Sequence, residues 1–267
     1  MNFQNKDIVA SLEIPVFDVF EFAPKKKKYC LMIPLFNEGN RFLAQLKKML
    51  QLKIPEQVDI IICDANSTDG STDHDLLKKS GISALLVRKG KGRYSTDLRM
   101  GYYWTLQRGY SGFITVDGNN KDDTSALPLF INKLSEGYDY IQGSRFVPGG
   151  KEIRTPFIRK AALKLINQPI MSHCAGMVLT DTTNGFRAYS REFLLDERVQ
   201  PFRNDFYGYE LIYYLPVRAS ELGFRCIEIP VTRTYPKGEV PSKIGGIKGN
   251  LYQLSILWHI LKNDYNP

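Results

Sequence analysis

Long hydrophobic runs are what this 267-residue chain most plainly lacks. No stretch approaches the roughly 18 consecutive apolar residues that a membrane-spanning helix needs. The longest late one, Leu251 to Leu261, is interrupted by Gln253 and His259. The opening residues, 1–17, carry charges and no extended apolar core, so no secretory signal is expected. Cysteine is scarce: Cys30, Cys63, Cys174 and Cys226 lie far apart, which excludes zinc-finger and redox-pair spacings and predicts buried free thiols in a reducing compartment. Histidine is scarcer still, and His173 and His259 belong to no ligand pattern. The glycines and prolines are scattered, without low-complexity tracts or a repeat of solenoid length. Zinc-finger, aromatic RNA-binding and long basic helical motifs are all missing, so nucleic acid is not the expected partner.

What is present is positive charge and enough apolar material for one sizeable core. The formal net charge is +8, and 43% of the residues are hydrophobic. A basic surface suits nucleotide diphosphates, lipid phosphates or anionic headgroups. Lys25 to Lys28 form a basic run ahead of the first clear strand, either as a solvated linker or as an anionic-surface contact.

Periodicity organises the first half. Tyr29 to Pro34, Val58 to Cys63, Ile82 to Val87 and Gly112 to Val116 read as short buried strands. Between them, Asn40 to Leu52, His74 to Lys79 and Leu98 to Arg108 carry helical patterns. Residues 1–24 lack periodicity and are expected to pack as an extension. Later, Tyr138 to Gln142 and Arg225 to Val231 read as strands, Pro156 to Met171 as a helix disturbed by Pro169, and Ile247 to Leu261 as a final amphipathic helix. Alternating strands and helices predict an α/β fold with a mostly parallel sheet covered on both faces. Ligands of such sheets bind beyond the carboxyl ends of the strands. The polar clusters Asn37-Glu38, Asp64 to Asp69 and Asp117 to Asp123 fall at those ends.

The motifs in these clusters resemble those of family-2 glycosyltransferases. Ile33-Pro34-Leu35-Phe36-Asn37-Glu38 is similar to that family's I-P-x-x-N-E opening, and Asp64 with Ser67-Thr68-Asp69-Gly70 to its second-strand motif. Lys89-Gly90-Lys91-Gly92 resembles the N-x-G-K-G loop, and Asp117-Gly118-Asn119 stands where the family has D-x-D. Gly143-Ser144-Arg145-Phe146-Val147-Pro148-Gly149-Gly150, Asp181 to Tyr189, and Glu228 to Val231 with Ser242-Lys243 resemble motifs of the dolichol-phosphate mannose synthases and related polyprenyl-phosphate glycosyltransferases.

The resemblance implies a GT-A (Rossmann-like) fold over residues 29–245, after an extension (1–28) and before the C-terminal helix (246–267). It implies an inverting sugar transfer from a nucleotide-diphosphate sugar to a polyprenyl phosphate, at the cytoplasmic membrane face. Pro34, Phe36, Glu38, Asp64, Lys91 and Asp117 would bind the donor. Lys121, Arg145, Arg159, Arg233 and Lys243 would meet phosphate. Asp117 and Asn119 would hold Mg²⁺ or Mn²⁺ and, with Arg145, form the catalytic group.

Asn119 and Lys121 depart from the family pattern, which has a second aspartate and a glutamine there. Either metal dependence is weakened, or Asp122 or Asp123 restores a ligand. A saccharide hydroxyl acceptor would need a carboxylate base, and Glu210 is the candidate. A nucleotide-sugar-binding protein without activity is the third alternative. Asp64 and Asp69 are also open to a plainer role as turn and cap residues.

Overall fold

The computed structural model describes residues 12–238 and 246–267. The central strand β2 (Tyr29–Leu35) is buried along its whole length. Its side chains alternate between two cores: Cys30 and Met32 face one, Leu31, Ile33 and Leu35 the other. Period-two alternation with both faces apolar is what a strand covered on two sides requires. β3 (Asp59–Asp64) is equally buried and pairs parallel with β2. β4 (Ala84–Arg88) extends the parallel set beyond β3, and β5 (Gly112–Thr115) joins β2 from its other side. The chain thus reverses direction of travel across the sheet between β2 and β5, and a crevice opens at their carboxyl ends.

The sheet has eight strands in the order β1-β4-β3-β2-β5-β8-β6-β9, in which β6 is Tyr140–Ser144, β8 is Arg187–Ser190 and β9 is Cys226–Pro230. β8 lies antiparallel between β5 and β6, while β9 is parallel to β6. β1 (Phe17–Glu21) was not expected. It pairs antiparallel with β4, and its residues are half-buried or exposed, the pattern of an edge strand with little apolar signal. A second, two-stranded sheet joins β7 (Lys151–Ile153) to β10 (Thr232–Thr234).

Helices cover both faces. α1 (Asn40–Gln51) buries the stripe Phe42, Gln45, Leu46 and Met49, α2 (His74–Lys79) follows β3, and α3 (Tyr94–Gln107) lies almost wholly buried. Gly101 lets α3 approach the sheet, because a Cβ there would stand 2.6 Å from Cys63 Sγ. α4 (Leu127–Ser135), also unexpected, starts with Pro128 in its first turn and buries Leu127, Phe130 and Leu134. The expected helix from Pro156 continues to Ala175 in three parts: α5 (Phe157–Ala162), a π-helical turn (Leu163–Asn167) and α6 (Gln168–Ala175). Pro169 has no N–H and its ring crowds the carbonyl four residues earlier; the widened turn accommodates both without ending the helix.

After β8 come α7 (Arg191–Leu195) and α8 (Glu210–Glu221). The last helix, α9 (Gly246–Leu261), sets Ile256, Leu257 and Ile260 into the core beside α6 and α8. Leu251, Leu254, Trp258 and Leu261 remain exposed on it. The four cysteines are free thiols, with Cys30 and Cys63 buried. Among the described residues no helix is long and apolar enough to cross a membrane.

Candidate active site

A cavity of about 1000 Å³ lies along the carboxyl edge of β2, β3, β4 and β5. Pro34 lines it from the end of β2, Phe36 and Glu38 just after β2, Ala65 and Asn66 after β3, and Lys91 and Arg93 after β4. Asp117, Asn119 and Lys121 follow β5, and Arg145, Arg159 and Arg233 come from the second half. Each expected donor or phosphate residue is therefore at the cavity except Asp64, which is buried behind it, and Lys243, which lies outside the described residues.

The loops after β2 and β3 are clasped together. Asp64 accepts the Ser67 hydroxyl at 2.6 Å and the Ser67 N–H at 2.9 Å, fixing the turn that presents Ala65 and Asn66. Burial raises the Asp64 carboxyl, with Ser67 opposing. Across the cleft, Thr68 N–H donates to Asn37 Oδ1 at 2.8 Å and Gly39 N–H to Asp69 Oδ2 at 2.7 Å. Asn37 and Asn66 both adopt left-handed backbone (φ 48° and 67°), which asparagine tolerates better than most residues. Asp69 is thus a clasp between loops; the helix cap of α2 is Asp73, which accepts the Leu76 N–H. Phe36, 44% exposed, presents its ring at the cavity beside this clasp.

The loop from Lys89 to Arg93 is held from below. Arg88 donates to buried Asp97 at 2.6 Å and also to the Gly90 carbonyl. Lys91 and Arg93 are left at the cavity wall.

Asp117 is the carboxylate at the centre. Tyr94 Oη donates to its Oδ1 at 3.0 Å, and Arg233 and Asn119 Nδ2 approach its Oδ2 at 3.2 and 3.3 Å. Burial alone would raise this carboxyl; Arg233, Tyr94 and Lys121 outweigh it and hold it below the ordinary range. Gly185 packs directly against this group: a Cβ there would lie 2.6 Å from Asp117 Oδ1 and 2.9 Å from Tyr94 Oη. Arg233, carried by β10, reaches past Asp117 to Asp122, whose side chain is fully buried. Burial pushes Asp122 up to about 6 against the pull of Arg233.

Arg145 lines the cavity but is already engaged. Its Nε and Nη2 each meet an Asp181 oxygen at 2.7 Å, and its backbone N–H adds a third bond at 3.0 Å. The pair is almost inaccessible, with side chains 3% and 0% exposed. Glu210 does not line the cavity. It opens α8, accepts the Gly208 N–H at 2.5 Å and a hydrogen bond from Tyr252, and ties that turn to α9.

The donor set for a divalent cation is thinner than the motif comparison implies. Asn119 offers its nitrogen to Asp117, and its oxygen accepts the Lys121 N–H at 3.2 Å. Asp122 is locked to Arg233, and Asp123 caps the next turn and pairs with Lys48 at 3.0 Å. Neither lines the cavity, and both side chains are taken up by these pairs. Among the described residues no three His, Cys, Asp or Glu side chains converge as a metal site. Among the described residues the cavity is lined by three carboxylates, of which Asp97 is paired with Arg88 and Glu38 with Arg41; Asp117 is the one at the family's D-x-D position.

Tyr94, Gly185, Tyr209 and Asp181 escaped the sequence reading as site residues. Tyr209 stacks on Tyr94 with centroids 5.5 Å apart, and both line the cavity. The available signal was position: Tyr94 stands two residues after the Lys-Gly-Lys-Gly loop, and Gly185 and Asp181 belong to the later motif.

The same cavity is also lined by Ile158, Ala162, Leu163 and Ile166 of the α5–α6 segment and by Leu254 and Leu257 of α9, with Thr155, Asn167, Asn250 and Gln253 among them.

Comparison with known proteins matches this architecture. Residues 30–196 fit the model of Glycosyl transferase family 2. The chain is 30% identical over 207 residues to polyprenol monophosphomannose synthase of Mycolicibacterium smegmatis, covering 76% of each. It is 28% identical to undecaprenyl-phosphate mannosyltransferase of Micrococcus luteus, covering 82% of this chain and 88% of the other. Glucosyl-3-phosphoglycerate synthase of Mycobacterium tuberculosis bound to UDP superposes with a TM-score of 0.65 at 14% identity, over 88% of this chain and 80% of that one. The same enzyme has been crystallised with Mn²⁺, UDP-glucose and phosphoglyceric acid, and that structure matches with a TM-score of 0.61. With the mostly parallel sheet, the cleft at its carboxyl edge and the family match over most of its length, this chain belongs to glycosyl transferase family 2.

Proposed function

We propose that the chain transfers a sugar from a nucleotide-diphosphate donor to a polyprenyl phosphate, with inversion at the anomeric carbon. The observation that carries this reading is the continuity of the cavity. Asp117 and several cations line the same cavity as the apolar trough residues Ile158, Leu163 and Ile166 of the α5–α6 segment and Leu254 and Leu257 of α9, and Asp117 with its cations forms the polar end. The polar end suits a nucleotide diphosphate, and the trough suits an isoprenoid chain. Arg159 and Arg233, which also line the cavity, are the cations that an acceptor phosphate would meet.

In this reading a phosphate oxygen of the acceptor attacks the anomeric carbon. The bond from that carbon to the donor diphosphate breaks, and the nucleoside diphosphate leaves with the electron pair. An acceptor phosphate is already ionised near neutral pH, so the step needs positioning and charge neutralisation rather than a base. That agrees with Glu210 being spent on Gly208 and Tyr252 instead of facing the cavity. Mg²⁺ or Mn²⁺, when bound, would take Asp117 from the protein and its other ligands from phosphate and water, a common arrangement for Mg²⁺.

The reading also includes a peripheral seat on the cytoplasmic membrane face. Phe157 and Ile158 are 82% and 79% exposed, and Leu165, Leu251 and Trp258 are also largely uncovered. Lys160 and Lys164 stand among them on the same helical segment. Large exposed aromatic and aliphatic side chains beside lysines suit an anionic bilayer surface.

The test is a transfer assay with a panel of UDP- and GDP-sugars and a short-chain polyprenyl phosphate. Lipid-linked sugar from one donor is the expected result. Donor hydrolysis without lipid product, or transfer to oligosaccharide instead, would overturn the acceptor assignment.

A further inference from the structure

The cavity lining sets Lys121, Arg145, Arg159 and Arg233 against Asp117, Asp97 and Glu38, and of these carboxylates Asp97 is paired with Arg88 and Glu38 with Arg41. Asp117 already has Arg233 on one oxygen and Tyr94 on the other. Asn119 turns its amide nitrogen to Asp117 and its oxygen back to its own loop. Asp122 and Asp123 are committed to Arg233 and Lys48.

Lys121 occupies the gap. Its backbone is held at both ends: its N–H donates to Asn119 Oδ1 at 3.2 Å and its carbonyl accepts the Thr234 N–H at 2.7 Å. Its ammonium lies over the Tyr235 ring, 5.3 Å from the centroid, and at the cavity wall. β10 therefore holds the main chain through Thr234, and Tyr235, the residue after it, lies under the side chain. Arg159 and Arg233 flank the same ring at 5.8 and 5.9 Å, so three cations share one aromatic platform beside Asp117.

We infer that Lys121 is a diphosphate-binding residue whose ammonium supplies the neutralising charge that a divalent cation would otherwise bring, so that nucleotide binds with or without the metal. This rests on the nucleotide-sugar reading above. A cation fixed before the donor arrives needs no reorganisation as charge develops on the leaving diphosphate. A half-buried lysine also gains most from an anionic partner, because little water competes for it.

The test is calorimetric titration of the full chain with UDP, GDP, ADP, CDP and dTDP, in EDTA and in Mn²⁺. For the nucleotide that binds, the expected dissociation constants in the two buffers agree within about threefold. Lys121→Gln should weaken binding in EDTA by about tenfold or more, as expected for a lost charge-assisted hydrogen bond, and Mn²⁺ should recover it. Lys121→Arg should retain metal-free binding, which separates charge from shape. Mn²⁺ paramagnetic resonance gives a readout independent of turnover: the Lys121→Gln chain with nucleotide should retain more bound Mn²⁺ than the native chain. Native binding that vanishes in EDTA and returns with Mn²⁺ would overturn the inference while leaving the transferase reading intact. So would Lys121→Gln binding as tightly as the native chain in EDTA. If no nucleotide binds in either buffer, the transferase reading itself falls and this inference falls with it.

Discussion

Replacing Gly185 with alanine places one methyl group against the centre of the site. The added Cβ would stand 2.6 Å from Asp117 Oδ1 and 2.9 Å from Tyr94 Oη, where ordinary contact begins near 3.4 Å. The carboxylate must therefore retreat by about 0.8 Å, or the β8 segment must move instead. Overpacking of this kind costs roughly 1–3 kcal/mol of stability. A reacting group displaced by about 1 Å loses on the order of 10²-fold in rate. The backbone at Gly185 is not left-handed, so alanine tests space alone. Gly185→Ala is expected to lower kcat/KM by about 100-fold while the urea midpoint shifts only modestly. Tyr94→Phe removes one of the two clashing oxygens, so the double variant should lose less than the sum of the single losses. Gly185→Ala with kcat/KM within threefold of the native value would refute the placement of Asp117 against this glycine.

Three further expectations follow from the same geometry. Asp181→Asn leaves Arg145 buried without its counter-charge and should cost about 3–5 kcal/mol in urea unfolding; Arg145→Met with Asp181→Leu should regain much of it, and a loss below about 1 kcal/mol would mean the pair is not sealed from water. The Asp69 carboxyl is held below its ordinary value because hydrogen bonds from Ser71 and Gly39 outweigh the effect of burial. The stability it contributes is therefore present above the unfolded value near 3.9 and lost as pH falls through the lower folded value; Asp69→Asn should differ from the native chain at pH 7 and converge with it in strong acid. Phe157→Glu and Trp258→Glu should each weaken sedimentation with anionic vesicles, by about tenfold for a lost large apolar side chain, with nucleotide affinity unchanged.

The parallel core was legible because β2 and β3 are continuous apolar runs buried on both faces, a pattern few other structures produce. β1 was not, since an edge strand with half-buried residues needs no such run. α4 has a clear stripe at Leu127, Phe130 and Leu134, but Pro128 stands in its first turn just past a polar loop, and the proline reads equally as a break. At the site, strand ends announced Asp117 and the loops around it. Partnership did not show in the sequence: Arg145 reads as a phosphate arm until Asp181, 36 positions later, is found bonded to it. Glu210 likewise reads as a base until its oxygens are found on Gly208 and Tyr252. Motifs identify which residues a fold retains, whereas long-range pairing decides which of them remain available to a ligand.

Tyr252 links regions that otherwise look separate. From α9 it donates to Glu210, which holds the Gly208 N–H; the Gly208 carbonyl accepts the Ser95 N–H at 2.6 Å, beside the Tyr94 that supports Asp117. The packing at Gly208 is tight enough that a Cβ would fall 1.7 Å from the Tyr252 hydroxyl. The helix with the uncovered apolar face and the central carboxylate thus share one rigid frame. A disturbance of α9 would therefore be carried along this chain of bonds to Ser95, the residue next to the Tyr94 that holds Asp117.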